Sequence, residues 1–455
     1  VVGASGNPHR IGGRPLRYLK DQGYPGQIFG VNPRYQEVQG YPCFPDIASL
    51  PVGIDLAVLM LSSANALDAV RACAAKGIAG VVITAAGFAE SGVEGQALQH
   101  ELAQLASSLG IRLIGPNTIG FRNHNTSVYA TFGTDIDSGV RPGNVVIVAQ
   151  SGGLGGYLGA ARLRDLGIGT RWMIDTGNEV DIDCAECVDY LAAESGISVI
   201  GLIIEGCRDS GRLLESIAAA RRRGVPVVVL KIGRSEAGAK SVALHTGALS
   251  GEDRVWDTAL AAAGAIRARD ESHFIDLVRI LDMPHPMTGR GLGIVTLSGG
   301  VATVLLDAAE RRSIDVPAIS SAPAELRDML PLVHFANPLD ASGQMANTPG
   351  AIENLVDFML EQEGVDTVVV WLAYALLSKV LGPAMAAGVA NAASRAAKPV
   401  IVIGMATPEL REQLAEAGVS LVPYPTATVE AIADIAECRT PPQRNFPSFD
   451  RVATT

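Results

Sequence analysis

Two side chains and one turn stand where chemistry can be done. His245 lies in residues 225–251, VPVVVLKIGRSEAGAKSVALHTGALSG, where a Val-rich run leads into a stretch rich in Gly, Ser and Ala. A buried parallel strand that delivers a functional loop at its C-terminal end has this form. Thr246 and Gly247 leave room for a group to approach the imidazole; the plain alternative is a surface histidine in a turn. Glu205 closes the apolar run VIGLII. Burying an unpartnered carboxylate is costly, so it is expected at a strand tip facing a cleft, against the alternative of a capped surface carboxylate. Ser151, Gly152 and Gly153 follow the strand NVVIVAQ and open a helix. Backbone N–H groups there converge beside the positive end of a helix dipole, which makes an anion site. The alternative is a glycine turn used only for close helix–strand packing. A histidine near such a turn can be phosphorylated. A carboxylate accepting Nδ1–H leaves Nε2 as nucleophile, and the N–H groups hold the phosphoryl oxygens.

The elements that must position these groups fall into three alternating β/α blocks. The expected fold class is α/β, three consecutive Rossmann- or flavodoxin-like doubly wound parallel sheets. Residues 1–125 read as VVGAS, QIFGVNP, IDLAVLML, GVVITAA and RLIGPN with helices between. Their strands end in Gly3, Ser5, Asn32, Pro33, Ser62, Thr84 and Asn117. Ligands of such sheets bind at those ends, so this is a nucleotide-type pocket. A dinucleotide site would want GxGxxG and an acid after the second strand. The first turn is Gly-Ala-Ser-Gly-Asn-Pro and the second strand ends in Asn32-Pro33, which disfavours NAD. A ligand carrying its own phosphates near the ribose fits better. Residues 126–142 read as a linker.

Residues 140–283 form the second block, with the Ser151 turn, the Thr176-Gly177-Asn178 turn, Glu205 and His245. Residues 290–440 form the third. Its Ser298-Gly299-Gly300 step echoes the one at 151–153, which points to related domains. The polar tail reads as the way into a linker or a missing domain, and VVGAS reads as a strand whose true start lies upstream.

The net charge of −11 gives no footprint for nucleic acid. No apolar run reaches membrane-spanning length, and no signal peptide precedes the first strand. Six scattered cysteines make no disulfide framework and suit a reducing, cytoplasmic setting. Cys184 and Cys187 have CxxC spacing on an expected helix with no second pair, and read as structural thiols; no metal site is expected.

Taken together, the motifs VVGAS, VNP, GPN, AQSGG, TGN, IEG, LKIGR with LHTGALSG, and LSGG with NPLD resemble the nucleoside-diphosphate-forming acyl-CoA synthetases, relatives of succinyl-CoA synthetase. The resemblance covers essentially the whole chain. It implies a CoA-binding first domain, a ligase second domain with a phosphohistidine, and a succinyl-CoA synthetase-like third domain. By it His245 is phosphorylated and Glu205 steadies the phosphohistidine. Ser151, Gly152 and Gly153 hold phosphate, with Gly177 and Asn178 lining the turn. Gly3, Ser5, Asn32, Pro33, Ser62, Thr84 and Asn117 fall at the CoA site. The implied reaction turns acid, ATP and CoA reversibly into acyl-CoA, ADP and phosphate, through an acyl phosphate.

The ATP-grasp module that handles ATP, ADP and Mg²⁺ in this family is absent from these residues, so a fused or separate ATP-grasp partner is expected. So is a homodimer or an α2β2-like assembly. Thr118 stands where a Cys would be expected after GPN. Competing readings are a non-catalytic CoA-binding regulatory relative, an NAD-linked oxidoreductase and an assembly protein. The intact His245 with its Thr-Gly neighbours argues against the first, and the missing ribose acid against the second.

Overall fold

The computed structural model describes residues 1–246, 253–341 and 348–439, with the side chains of 243–246 and 439 outside the description. The chain builds three sheets in sequence. In the first, the order across the sheet is Glu37–Val38, Tyr41–Phe44, Gly30–Val31, then Val2, then Leu56–Leu59, Gly80–Ile83 and Arg112–Ile114. Numbered along the chain without the antiparallel edge at 37–38, this is the 3-2-1-4-5-6 order of a Rossmann sheet. The expected first strand contracts to a single bridging residue, Val2, which pairs with both Val31 and Leu59. Gly3 ends it by turning to φ 82°, where a Cβ would lie 2.4 Å from the Met60 carbonyl oxygen. The strand Tyr41–Phe44 was not legible in the sequence, because Pro42 sits inside it.

The second sheet runs Ile266–Arg267, Val227–Lys231, Val199–Ile204, Pro142–Ala149, Thr170–Asp175, Gly120–Asn123 and Val128–Thr131. Its five parallel strands have the flavodoxin order 2-1-3-4-5. The last two strands correct the reading of residues 126–142 as a linker. Gly120–Asn123 and Val128–Thr131 form a hairpin that adds antiparallel to Thr170–Asp175. Short alternating segments around a polar turn at 124–127 make the hairpin. Its Tyr129 finds a hydrophobic seat in the first unit, in one cluster with Tyr18 and with Ile136 from the segment that follows. The third sheet repeats the flavodoxin order with Leu339–Asp340, Leu292–Thr296, Thr367–Ala373, Val400–Gly404 and Ser420–Val422.

The second and third sheets share a core. Phe274, Leu277 and Val278 of helix Glu271–Leu281 pack in one cluster with Val429 and Ile432 of helix Pro425–Arg439 and with Ile294 and Ile401 of the third sheet. Arg269 ties the same seam by pairing with Glu430 at 2.8 Å and Asp434 at 2.9 Å.

One further expectation is corrected. Residues 236–246 are not a loop: helix Glu236–Thr246 carries the backbone of His245. Glu, Ala, Lys and Leu are good helix formers, and the Ser235 hydroxyl caps the first turn by accepting from the Gly238 N–H at 3.0 Å. The side chain of His245 lies outside the described residues, as do residues 247–252.

Candidate functional site

In the second sheet the order turns between Pro142–Ala149 and Val199–Ile204, whose neighbours then run in opposite directions along the chain. Crevices at such switch points, outside the carboxyl ends of the strands, are where doubly wound sheets take ligands. Ser151 and Glu205 flank this one. Parallel register sets Ile203 opposite Ala149, so the two strand tips are level. The next strand, Val227–Lys231, pairs with Ile204 opposite Lys231 and leads to the His245 helix. Three adjacent tips thus feed one edge.

Ser151 is the N-cap of a continuous helix over 152–165 and makes no side-chain cap bond. Its carbonyl accepts from the Gly155 N–H at 2.8 Å. The N–H groups of Gly152 and Gly153 belong to the first turn, which has no intrahelical partner to offer them. Space in front of Gly153 is open, since a Cβ there would meet nothing within 4 Å. Behind Gly152 it is closed: a Cβ would lie 2.6 Å from Asp175 Oδ2 and 3.0 Å from Ile119. We therefore expect Gly152→Ala to cost about 1–3 kcal/mol of stability through overpacking, and Gly153→Ala to be nearly neutral. Denaturant unfolding of the two variants checks this, and equal effects would refute it.

Glu205 is 6 % exposed, directly after its strand. Gln150 Oε1 accepts from the N–H groups of Glu205 and Gly206 at 2.6 and 3.1 Å, while its Nε2 donates to the Gly206 carbonyl at 2.9 Å. The amide of Gln150 therefore locks the Glu205 tip to the strand carrying the Ser151 turn. Buried Lys231, at the tip of the neighbouring strand, has its ammonium 5.8 Å from the Trp256 ring centroid. Desolvation lowers its pKa, opposed by the charges of Asp253 and Glu205.

Sequence reading missed Asp175, the last residue of its strand and 5 % exposed. Its Oδ2 accepts from the Ile119 N–H at 2.7 Å and the Thr118 hydroxyl at 3.1 Å, and its Oδ1 from the Gly177 N–H at 3.4 Å. The carboxylate thus clasps the end of the first unit to the floor of the Gly152 turn, and Thr118 is a partner in that clasp. The signal was an Asp ending an otherwise apolar strand. Burial pushes the Asp175 carboxyl up to about 7; its three donors oppose this, and the charge of Glu205 adds to it.

A carboxyl raised in the folded state contributes stability that is complete below its unfolded pKa and is lost as pH rises through the folded one. Between about pH 4 and pH 7 the folding stability of Asp175→Asn should therefore gain on wild type. Urea unfolding across that window measures it, and a gap independent of pH would refute it.

The remaining expected residues sort into two groups. Gly177 holds φ 58° and lies against Pro116 and Asn117, where a Cβ would sit 2.3 Å from the Pro116 carbonyl oxygen. Asn178 does not offer its amide to the Ser151 turn. Its Nδ2 donates to Glu90 Oε2 at 2.5 Å and to Gln99 Oε1 at 2.9 Å, and its Oδ1 accepts from Asn117 Nδ2 at 3.2 Å. Both asparagines therefore strut the seam between the first two units. The helix that carries His245 approaches the same seam at the turn Ala89–Ser91.

Gly3, Ser5, Asn32, Pro33, Ser62 and Thr84 do gather on the carboxyl edge of the first sheet. Asn32 Nδ2 donates to the Ala4 carbonyl at 2.8 Å and bridges two strand tips. The Ser5 hydroxyl accepts from Asn7 N–H at 3.2 Å, Ser62 Oγ from Asn65 Nδ2 at 3.1 Å, and Thr84 Oγ1 donates to the Leu59 carbonyl at 2.8 Å. Cys184 and Cys187 are buried on helix Cys184–Ala193, and burial raises both thiols. Among the described residues no His, Cys, Asp and Glu group is arranged to hold a metal, and no helix is long and apolar enough to cross a membrane.

Comparison with known proteins matches this layout. Residues 1–124 fit the model of a CoA binding domain, and residues 142–281 that of a succinyl-CoA ligase like flavodoxin domain. Acetate–CoA ligase [ADP-forming] II subunit alpha of Pyrococcus furiosus is 32 % identical over 343 residues, 75 % of this chain and 73 % of that protein. The chain belongs to the ADP-forming CoA ligase family. A second family member, the I subunit alpha of the same organism, is 29 % identical over 95 % of this chain and 94 % of its own length. The three-sheet architecture of the family also recurs in the "dinucleotide forming Acetyl-coenzyme A synthetase 1" of Ca. Korarchaeum cryptofilum in complex with phosphate and ADP. That structure has a TM-score of 0.85 at 28 % identity, covering 96 % of this chain and 94 % of that one.

Proposed function

We propose that this chain carries the CoA site and the phosphohistidine of an ADP-forming acyl-CoA synthetase. The observation behind the reading is the level set of three strand tips at the switch point, which bring the Ser151 turn, Glu205 and the His245 helix to one edge. In the direction of synthesis, His245 Nε2 attacks the γ-phosphorus of ATP, and the Pγ–O bond breaks to leave ADP. A carboxylate oxygen of the acid attacks that phosphorus, and the P–N bond breaks to leave acyl phosphate and free imidazole. The CoA sulfur attacks the acyl carbon, and the C–O bond breaks to leave acyl-CoA and inorganic phosphate. Gly152 and Gly153 donate to the phosphoryl oxygens, and Glu205 accepts Nδ1–H to hold the ring. CoA lies along the carboxyl edge of the first sheet, over Gly3, Ser5, Asn32, Pro33, Ser62 and Thr84.

ATP, ADP and Mg²⁺ are handled by an ATP-grasp module, on the same polypeptide or another, in a homodimeric or α2β2-like cytoplasmic enzyme. The acid is a small carboxylic acid, with acetate the first to test because both alpha-subunit relatives are named for it. The test is incubation with acetyl-CoA and phosphate, then phosphopeptide mapping. An acid-labile, base-stable phosphoryl group on His245 is expected. No label, with or without an ATP-grasp partner, would leave a CoA-binding regulatory protein as the better account.

A further inference from the structure

A cavity of about 540 Å³ lies between the second and third units. One wall is the helix over 152–165, through Tyr157 and Arg162. The other is the carboxyl edge of the third sheet, through Met405 and Tyr424 after the strands Val400–Gly404 and Ser420–Val422. On this helix the lining begins at Tyr157, nearly two turns past Ser151, and neither the Ser151 turn nor Glu205 takes part in it, so this is not the phosphoryl site.

Its charged lining is four arginines and four carboxylates, and they are not all paired with one another. Arg279 is 4 % exposed, and its Nε is buried without a hydrogen-bond partner. Its paired carboxylate is Asp276, 3.7 Å away, beyond hydrogen-bonding length. Arg411 also has a buried Nε without a partner, while its Nη1 donates to the Asp165 carbonyl at 2.7 Å. Burial lowers Arg279 to about 10; the charge of Asp276 opposes this, and those of Arg411 and Arg162 add to it. Asp276 is itself pushed up by burial. Two of the other lining carboxylates are engaged, Glu430 with Arg269 and Asp270 with the His273 N–H, and Glu271 is exposed to water. Tyr157, Met405 and Tyr424 are 58, 61 and 68 % exposed, an apolar rim.

We propose that this cavity is a second ligand site, for an organic anion whose carboxylate or phosphate head sits against Arg279, Arg162 and Arg411 and whose apolar body lies on Tyr157, Met405 and Tyr424. Arg162, Arg279 and Arg411 all line this cavity, no carboxylate among the described residues lies within hydrogen-bonding length of Arg279, and a guanidinium donates to either head group through bonds that strengthen away from water. A cavity of this size suits a small organic molecule.

The test uses the full chain with benzoate and phenyl phosphate, and with acetate and inorganic phosphate as heads without a body. Hydrogen exchange should show protection over residues 157–166 and 404–427 with the aromatic probes, and weaker protection with the bare heads. The stronger of benzoate and phenyl phosphate tells a carboxylate site from a phosphate site. Calorimetry should show binding weakened roughly tenfold to a hundredfold in Arg279→Met. Should that buried change prevent folding, the double variant Arg162→Ala, Arg411→Ala should weaken binding at least about tenfold. Unchanged affinity in the double variant, protection confined to residues 150–154, or no binding of any probe would each overturn the assignment.

Discussion

Net CoA ligation by the His245→Ala variant, assayed with the ATP-grasp partner present, should fall by at least about 10⁴-fold while CoA still binds. Removing a group that forms the covalent intermediate costs rates on that scale, because no second residue can take its turn. CoA binding should survive because the proposed contacts are on the first sheet, within the residues that match a CoA binding domain, and its strand tips are built from their own hydrogen bonds, such as Asn32 to Ala4. The phosphopeptide carrying residue 245 should lose its label in the same variant. Ligation near the wild-type rate would remove the phosphohistidine from the mechanism. Loss of both activities would point instead to a folding defect.

Glu205→Gln should slow phosphoryl transfer by about 10²-fold or more, the scale for losing an orienting or acid–base group. The amide keeps the size of the carboxylate and its place at the end of Val199–Ile204, so the bond donated by the backbone N–H of residue 205 to Gln150 remains. What it loses is the negative charge that favours an imidazolium-like, phosphorylated ring. Single-turnover transfer from acetyl phosphate to the protein is the measurement. An unchanged rate, with label still on His245, would make Glu205 a structural carboxylate. The expected effect is smaller than for His245 because in the proposed mechanism Glu205 steadies the reacting ring and forms no bond to phosphorus.

Much of the candidate site's layout was legible in the sequence because its parts are local. Ser151-Gly152-Gly153 after an apolar strand is a strand–turn–helix step whatever surrounds it, and the helix begins there. Glu205 after six apolar residues had to be at a strand tip, and it is. The three alternating blocks carried the fold class, since period and punctuation decide strand from helix over short windows. The segment holding His245 was misjudged for a related reason. Glycines and serines there read as loop, yet the Ser235 cap and the run of Ala, Lys and Leu suffice to wind a helix.

Other features exist only once distant segments meet. The hairpin of Gly120–Asn123 and Val128–Thr131 needed a partner strand some fifty residues onward, Thr170–Asp175, before its polar segments could read as sheet. The family resemblance implied that Asn178 lines the phosphate turn. Glu90 and Gln99, from another unit, claim its amide. Asp175 carried a weak local signal, but its raised pKa and its clasp on Thr118 and Ile119 follow from burial at a junction of two units. The elements, their order and the residue types at each strand tip follow from local sequence, because backbone preference and hydrophobic periodicity act over a few residues. Which tips face one another and which side chains lose water follow from packing alone, since desolvation and pairing depend on groups far apart along the chain.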